Sequence, residues 1–183
     1  MDWSGGAVRR VLRAPERALS VPAPPCDPSA PDVVALARDL VATMRVSPGC
    51  VGLAAPQIGV ARRVFCADVT GHRKARSCAG LVVLANPRLL AAERPAVARE
   101  GCLSVPDLTG DVSRATRVVV GGVVPGSGED VVLDADAFEA RAVQHEIDHL
   151  DGLLFLDRVT GAHAVFRRKR YQPGRYPPSD TPP

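Results

Sequence analysis

Apolar residues recur every three to four positions in two stretches of this chain, which is the spacing of one face of an α-helix. The first stretch covers residues 32–44, after Pro31 and before Pro48. The second covers residues 135–150, and Gly152 lies just past its end. Proline before a helix and glycine after it are typical boundaries. The pattern therefore predicts an early helix and a late helix.

Four shorter segments are rich in β-branched residues and are separated by Gly, Pro and Asn, which is typical of strands and turns. They cover residues 63–69, 81–86, 116–124 and 130–133. Strands grouped around one late helix favour an α+β fold over a wound parallel sheet. We predict antiparallel β-sheets packed around a central late helix.

The two ends of the chain lack these patterns. Residues 1–30 are irregular and rich in proline, with a short helical or extended piece at residues 8–12. Residues 167–183 begin with Arg167-Arg168-Lys169-Arg170 and continue with proline and polar residues, which cannot bury enough apolar surface to become ordered. We predict a single domain over residues 1–166 and a disordered tail over residues 167–183.

Composition narrows the class of protein. At 183 residues the chain fits one domain, and its core must be built from Val, Leu and Ala because only 4% of residues are aromatic. No apolar run approaches the ~20 residues that cross a bilayer, and the first ten residues lack a secretory signal. Five cysteines at irregular spacing do not form a disulfide framework. We expect a cytoplasmic protein without a membrane partner. The net charge of +3 is a weak argument for DNA, which we do not expect as a partner.

The late helix carries His145-Glu146-Ile147-Asp148-His149. Histidines four residues apart lie on one helical face and can bind one metal ion together, with Glu146 beside a water molecule at the metal. The competing interpretation is a surface helix with ordinary charged residues.

A catalytic metal site needs a third protein ligand and an open position. Downstream of the late helix, His163 stands outside any motif and is expected at the surface. Upstream, Cys102 lies in Glu100-Gly101-Cys102-Leu103-Ser104. By itself Cys102 is better explained as a small core residue, because free cysteine is often buried.

A third segment of interest is Gly52-Leu53-Ala54-Ala55-Pro56-Gln57. Its small residues allow another segment to approach the backbone closely. Gln57 can then donate an N–H to an oxygen that gains negative charge, as in an oxyanion hole. Alone, the segment is equally compatible with a tight loop.

Taken together and in this order, the three segments resemble the peptide deformylase family, whose motifs are G-x-G-x-A-A-x-Q, E-G-C-x-S and H-E-x-D-H. Asn86-Pro87 and the segment Asp151-Gly152-Leu153-Leu154-Phe155 also resemble the family, so the similarity covers about residues 8–160. One position departs from the pattern: Cys50 replaces the first glycine of the first motif. If that position requires a positive φ, cysteine costs about 1 kcal/mol there.

The resemblance implies an enzyme that removes the N-formyl group from the N-terminal methionine of nascent polypeptides and releases formate. It implies one divalent metal ion, Fe²⁺ in the cell and Zn²⁺, Ni²⁺ or Co²⁺ in purified protein. The implied metal ligands are Cys102, His145 and His149. The implied catalytic groups are Glu146 as proton carrier, with the Gln57 amide and the Leu103 backbone N–H as donors to the formyl oxygen.

The resemblance also implies a substrate-binding pocket. Its members here are Val51, Gly52, Glu100, Phe138, Arg141 through its aliphatic stem, and Ala142; ordinary core is the alternative for some of them. The basic run Arg167–Arg170 suggests contact with the ribosome, although such runs are usually solvated surface. Two other functions stay open: a zinc endopeptidase, which needs a third His or Glu ligand, and a non-catalytic metal-binding paralogue.

Overall fold

The computed structural model describes residues 1–168. Its helices and strands, in chain order, are α1 (Pro31–Val46), β1 (Gly52–Ala54), β2 (Val64–Ala67), β3 (Val82–Cys102), β4 (Val105–Val123), β5 (Asp130–Asp136), α2 (Ala137–Leu150) and β6 (Val165–Arg167). Short 3₁₀ turns at Arg17–Ser20, Ala55–Ile58, Phe155–Arg158 and Ala162–Ala164 connect them.

The strands form one six-stranded sheet in the order β1-β2-β3-β4-β5, and β6 pairs with β4. Every pairing is antiparallel. The predicted α+β class with a late helix is therefore confirmed. The sheet is continuous, whereas several sheets were predicted, because β3 and β4 are long and shift register at three irregularities without separating.

Both predicted helices are present. α1 starts at Pro31 and follows Ala30, and Asp32 lies in its first turn. α2 starts two residues later than predicted because Ala135 still belongs to β5, where it pairs with Val118. The chain reverses into the helix at Ala137, whose φ is +46°.

The predicted strands are present, but two of them are much longer than expected. β3 continues past Asn86 to Cys102, and β4 begins at Val105 instead of near residue 116. The added part of β3 is almost fully exposed until Glu100 and contains Pro87 and Pro95, so it lacks the alternating pattern that marks a half-buried strand. Residues 8–12 form no regular element.

The core lies on both faces of the sheet. All four residues of β2 are buried. Val64 and Cys66 belong to the apolar cluster that includes α1, and Phe65 and Ala67 belong to the cluster that includes α2. Alternate side chains of a strand point to opposite faces, so β2 separates the two helices. This arrangement holds α2 against the sheet with its motif face toward the end of β3.

The end of the described chain is better anchored than predicted. Arg167 is the last residue of β6, and the Arg168 backbone N–H donates to the Asp107 carbonyl at 2.8 Å. The packed chain thus extends two residues past the predicted boundary at residue 166, and the rest of the predicted tail lies outside the described residues. Among residues 1–168 no helix is both long and apolar enough to cross a membrane.

Candidate metal centre

The three predicted metal ligands meet between α2 and the end of β3. His145 and His149 lie one turn apart on α2, and Cys102 is the last residue of β3 before a two-residue turn into β4. Their ligand atoms all lie within 4.8 Å of one another, and Cys102 Sγ is 3.2 Å from His149 Nε2. Cys102 is buried as a core residue would be, but its sulfur faces the two imidazoles.

Glu100 fixes the orientation of His145. The Nδ1–H group of His145 donates to Glu100 Oε2 at 2.9 Å, which leaves Nε2 to interact with Cys102. Although burial opposes ionisation, hydrogen bonds from His145 and Arg114 lower the pKa of Glu100 to about 2. An ionised carboxylate on the outer nitrogen holds the imidazole in the tautomer that metal binding requires.

The surroundings of the Cys102 sulfur favour its thiolate form. Burial alone would raise its pKa, but the two imidazoles hold the pKa of the Cys102 thiol well below its usual value. Gln57 Nε2 and the Ser104 backbone N–H each donate to the sulfur at 3.4 Å. The thiolate is the form of cysteine that binds metals.

One thiolate and two imidazoles form a donor set that fits zinc or iron. Three protein ligands with an adjoining cavity match a catalytic site, which keeps one coordination position open. Among residues 1–168 no other group of three His, Cys, Asp or Glu side chains has this geometry. His163 is exposed and away from the group, as the sequence predicted.

Glu146 lies beside the ligands, and only 3% of it is exposed. No hydrogen-bond partner of its buried Oε2 atom is found in the described part of the chain. Burial raises the pKa of Glu146 to about 7. Gly52 makes room for this carboxylate, because a Cβ atom there would lie 2.8 Å from Glu146 Cδ. The close approach expected from the small-residue segment is thus made to the side chain of Glu146.

Gln57 faces the same centre from the 3₁₀ turn that follows β1. Its Oε1 atom accepts the Ala54 backbone N–H at 2.9 Å, which fixes the amide so that Nε2 points to Cys102 and to Ser104 Oγ. Leu103 lies in the turn after Cys102, and no hydrogen bond from its backbone N–H is found within residues 1–168. Two N–H donors therefore border the site.

A cavity of about 180 Å³ opens beside the ligands. All six residues predicted to bind substrate line it: Val51, Gly52, Glu100, Phe138, Arg141 and Ala142. A wider groove of about 960 Å³ adjoins it and shares Arg99, Phe138 and Arg141, but contains none of the ligand candidates. The smaller cavity is the one that adjoins the chemistry.

The side chain of Arg141 presents its stem to this cavity. Its guanidinium donates to Glu100 Oε1 at 2.7 Å and to the carbonyls of Val112 and Ala96 at 3.0 and 2.8 Å. The charged end is therefore already bonded to protein, and the substrate contact that the resemblance implies for the aliphatic stem stays a prediction.

Sequence reasoning missed a buried ionic network behind the ligands. Arg114 donates to both oxygens of Glu100 at 2.9 and 3.0 Å and also pairs with Asp148, which in turn pairs with Arg158. Ser104 Oγ, also unassigned, accepts from Gln57 at 3.2 Å. The sequence offered one signal for this network: the motifs contain two acids, Glu100 and Asp148, and an acid that becomes buried needs a cation beside it.

Cys50 is not strained. Positive φ angles in non-glycine residues occur only at Asn86, Arg94 and Ala137 within the described chain, so the expected cost at position 50 does not arise. The thiol donates to the Gly52 carbonyl at 3.0 Å, and burial raises the pKa of Cys50 to about 12.

Comparison with known proteins places these features in a family. Residues 8–164 match the family described as polypeptide deformylase. The peptide deformylase of Halothermothrix orenii is 47% identical over 126 residues, covering 69% of this chain and 77% of that protein. That of Acidothermus cellulolyticus is 44% identical over 156 residues, covering 84% and 79%. The Met-Ala-Ser-bound class I type b peptide deformylase of Acinetobacter baumannii superposes with a TM-score of 0.74 at 34% identity, covering 85% of this chain and 100% of that one.

Proposed function

The chain belongs to the polypeptide deformylase family, and from that membership we propose the roles of its individual residues. The protein is a metal-dependent hydrolase that removes the N-formyl group from the N-terminal methionine of nascent polypeptides and releases formate. The observation that supports our assignment best is the convergence of three candidate ligand atoms beside the Glu146 carboxylate, whose buried Oε2 has no hydrogen-bond partner within residues 1–168.

The two rival functions are less well supported. A zinc endopeptidase needs a further His or Glu beside His145 and His149, and in the described residues Cys102 stands there instead. A non-catalytic paralogue needs neither Glu146 nor Gln57 in the site, yet both are buried against the ligands.

In the proposed mechanism Cys102, His145 and His149 hold one divalent ion. Such an ion acts as a Lewis acid and lowers the pKa of water toward 7. Cys102 contributes negative charge, and Glu100 keeps His145 oriented through Nδ1. We propose Fe²⁺ as the ion in the cell, with Zn²⁺, Ni²⁺ or Co²⁺ able to replace it in purified protein. Metal analysis of protein purified without oxygen tests this: zinc in excess of iron contradicts it.

Glu146 carries the proton. Its carboxylate accepts a proton from the attacking water and delivers it to the amine nitrogen as the bond to the formyl carbon breaks. A pKa near 7 suits a group that must both accept and release a proton at neutral pH.

Gln57 Nε2 and the Leu103 N–H stabilise the formyl oxygen as it becomes negative. The Gln57 amide stays fixed through Oε1, and Nε2 donates to the formyl oxygen in place of one of its present acceptors, Cys102 Sγ or Ser104 Oγ. Losing one donor of this kind typically costs ~10²–10³ in rate.

The methionine side chain occupies the cavity beside the ligands. Val51, Phe138, Ala142 and the stem of Arg141 supply its apolar walls. Gly52 contributes by leaving space for Glu146. Both oxygens of Glu100 already accept protein hydrogen bonds, so it lines the cavity with its carbon stem and serves the reaction mainly by positioning His145.

We also propose that the protein works in the cytoplasm and approaches the ribosome through the basic run that starts at Arg167. The support is the cluster of cations at the end of the described chain and a substrate that is made on ribosomes. The Arg167 side chain is exposed and available for such a contact.

The proposed chemistry is tested by formate release from formyl-Met-Ala-Ser in three proteins. We expect Glu146→Gln to keep its metal but to lose ~10²–10⁴ in kcat, because the amide cannot carry a proton. Cys102→Ala is expected to lose stoichiometric metal, and His163→Ala is the surface control that keeps both. Hydrolysis of internal peptide bonds by wild type, or a Glu146→Gln rate within threefold of wild type, contradicts the assignment.

A further inference from the structure

The last described residue, Arg168, reaches the catalytic cavity. β6 pairs with β4 through Gly110, Thr109 and Leu108, and the Arg168 backbone N–H then bonds to the Asp107 carbonyl. This anchoring brings the Arg168 side chain into the wall of the 180 Å³ cavity beside Gly101 and Leu103. A residue from the far end of the chain thus completes the site.

Gly101 is shaped to accommodate this side chain. A Cβ atom at Gly101 would lie 3.1 Å from Arg168 Cζ and would collide with Nη2. The guanidinium therefore lies directly on the backbone that precedes the metal ligand Cys102. Its Nη2 atom approaches the Cys102 carbonyl at 3.5 Å, which is a long hydrogen bond.

Two nitrogen donors of the Arg168 guanidinium lack an acceptor within residues 1–168. Its Nε atom is buried without a hydrogen-bond partner, and its Nη1 atom has none within residues 1–168. No ion pair of Arg168 is found in the same range, whereas Arg99, Arg114 and Arg141 at or behind the site each bind a carboxylate. A cation that is half-buried and under-bonded at the wall of a substrate cavity is suited to bind an oxygen of the substrate.

We infer that Arg168 is a substrate-positioning residue: its guanidinium donates to main-chain carbonyl oxygens of the peptide segment that follows the formylated methionine. The inference rests on the proposed function. The apolar walls of the methionine pocket are assigned to Val51, Phe138 and Ala142, whereas Arg168 lies against Gly101 and Cys102, so Arg168 serves the part of the peptide beyond that side chain. It acts on binding and not on the proton transfers.

The test compares Arg168→Met, which keeps an unbranched apolar stem without the guanidinium donors, with Arg168→Lys and with Arg167→Met. Arg167 is the matched control because it is the adjacent, exposed arginine that does not line the cavity. For Arg168→Met we expect the KM for formyl-Met-Ala-Ser to rise about tenfold with kcat within twofold, which is the size of one lost charge-assisted hydrogen bond. The preference for that tripeptide over formyl-Met falls by the same factor.

Equilibrium binding of the product peptide Met-Ala-Ser, measured by calorimetry, gives a second readout. We expect its Kd to weaken about tenfold in Arg168→Met, to recover partly in Arg168→Lys and to match wild type in Arg167→Met. Equal behaviour of Arg168→Met and Arg167→Met overturns the inference, and so does loss of bound metal in Arg168→Met. Absence of formate release from wild type instead refutes the proposed function.

Discussion

At the scale of single residues, Glu100 illustrates how the site is kept in order. Its Oε1 accepts from Arg114 and Arg141, and its Oε2 accepts from Arg114 and His145. A carboxylate with two oxygens so occupied cannot rotate without breaking several charge-assisted hydrogen bonds. The orientation of His145, a proposed metal ligand, is therefore fixed by a residue outside the proposed ligand set.

This environment predicts a pH dependence of stability. The pKa of Glu100 is about 2 in the folded protein against an ordinary value of 4.5. Because the folded value is the lower one, its stabilisation is complete above pH 4.5 and is lost as the pH falls toward 2. We expect the difference in Tm between wild type and Glu100→Gln to narrow from pH 6 to pH 3. Circular-dichroism melts of both proteins in chelator measure it.

The control for that experiment is Asp134→Asn, which removes one partner of the exposed pair with Arg117. Its Tm should stay close to that of wild type throughout, because exposed pairs contribute little. A gap between wild type and Glu100→Gln that stays constant down to pH 3 contradicts the ionised state assigned to Glu100.

The residue that departs from the family pattern allows another prediction. Because burial raises the pKa of Cys50 to about 12, its thiol stays protonated at neutral pH and reacts slowly with peroxide. We expect Cys50→Gly to have kinetics within twofold of wild type and the same inactivation curve in mild peroxide. Resistance of Cys50→Gly, together with recovery of wild type by a thiol reductant, would identify Cys50 as a redox sensor instead.

The sequence placed His145, Glu146 and His149 on one helix because they share a short motif whose spacing determines its geometry, and the structure brings the two imidazoles to the Cys102 sulfur. Gln57 and Cys102 were ambiguous alone and gained meaning only as a set. Arg114 escaped notice because it lies on an unpredicted part of β4, with no neighbour in sequence that shares its role. Partners that meet only through the fold leave no local pattern.

At the scale of elements, the contact between β4 and α2 depends on Arg114. Arg114 on β4 pairs with Asp148 on α2 and with Glu100 on β3, and all three are buried. Removing one member of a buried ionic cluster leaves uncompensated charge and typically costs ~3–5 kcal/mol. We expect Arg114→Met to lower the free energy of unfolding by about this amount, measured by urea denaturation.

Arg117→Met is the matched control, because Arg117 also lies on β4 and binds both oxygens of a carboxylate, that of Asp134, but at the surface. Its loss should cost less than about 1 kcal/mol. Equal effects of the two substitutions would show that burial does not determine the strength of the Arg114 cluster.

The helices were more predictable than the strands for a physical reason. α1 buries one face, so its apolar residues repeat at helical spacing along its length. α2 is buried on more than one side, and its sequence carries the metal-binding motif as a second signal of a helix. The outer half of β3 buries almost nothing: Leu89, Leu90 and Val97 are all exposed there. Its extended conformation comes from pairing with β4, which is a long-range property and is absent from the local sequence.

At the scale of the whole molecule, the basic run can be tested without disturbing the site. Truncation after Val165 would remove most of β6 and Arg168, so the cut belongs after Arg168. We expect truncation after Arg168 to reduce co-sedimentation with ribosomes at low salt, since it removes Lys169 and Arg170. Truncation after Arg170 should leave the co-sedimentation unchanged. Binding through cations should also weaken steeply as salt rises. Unchanged co-sedimentation after truncation at Arg168 would assign the run to plain surface.

The site draws its side chains from segments that are far apart in the chain, with Gly52 and Gln57 near one end, Cys102 in the middle, and His145 and Arg168 near the other. Closing such distant contacts is slow compared with forming a helix or a hairpin. During refolding, α2 can become helical early, but its two imidazoles stay without Cys102 until β3 has packed against the helix. Catalysis is therefore among the last properties to return, and recovery of activity reports completion of the fold.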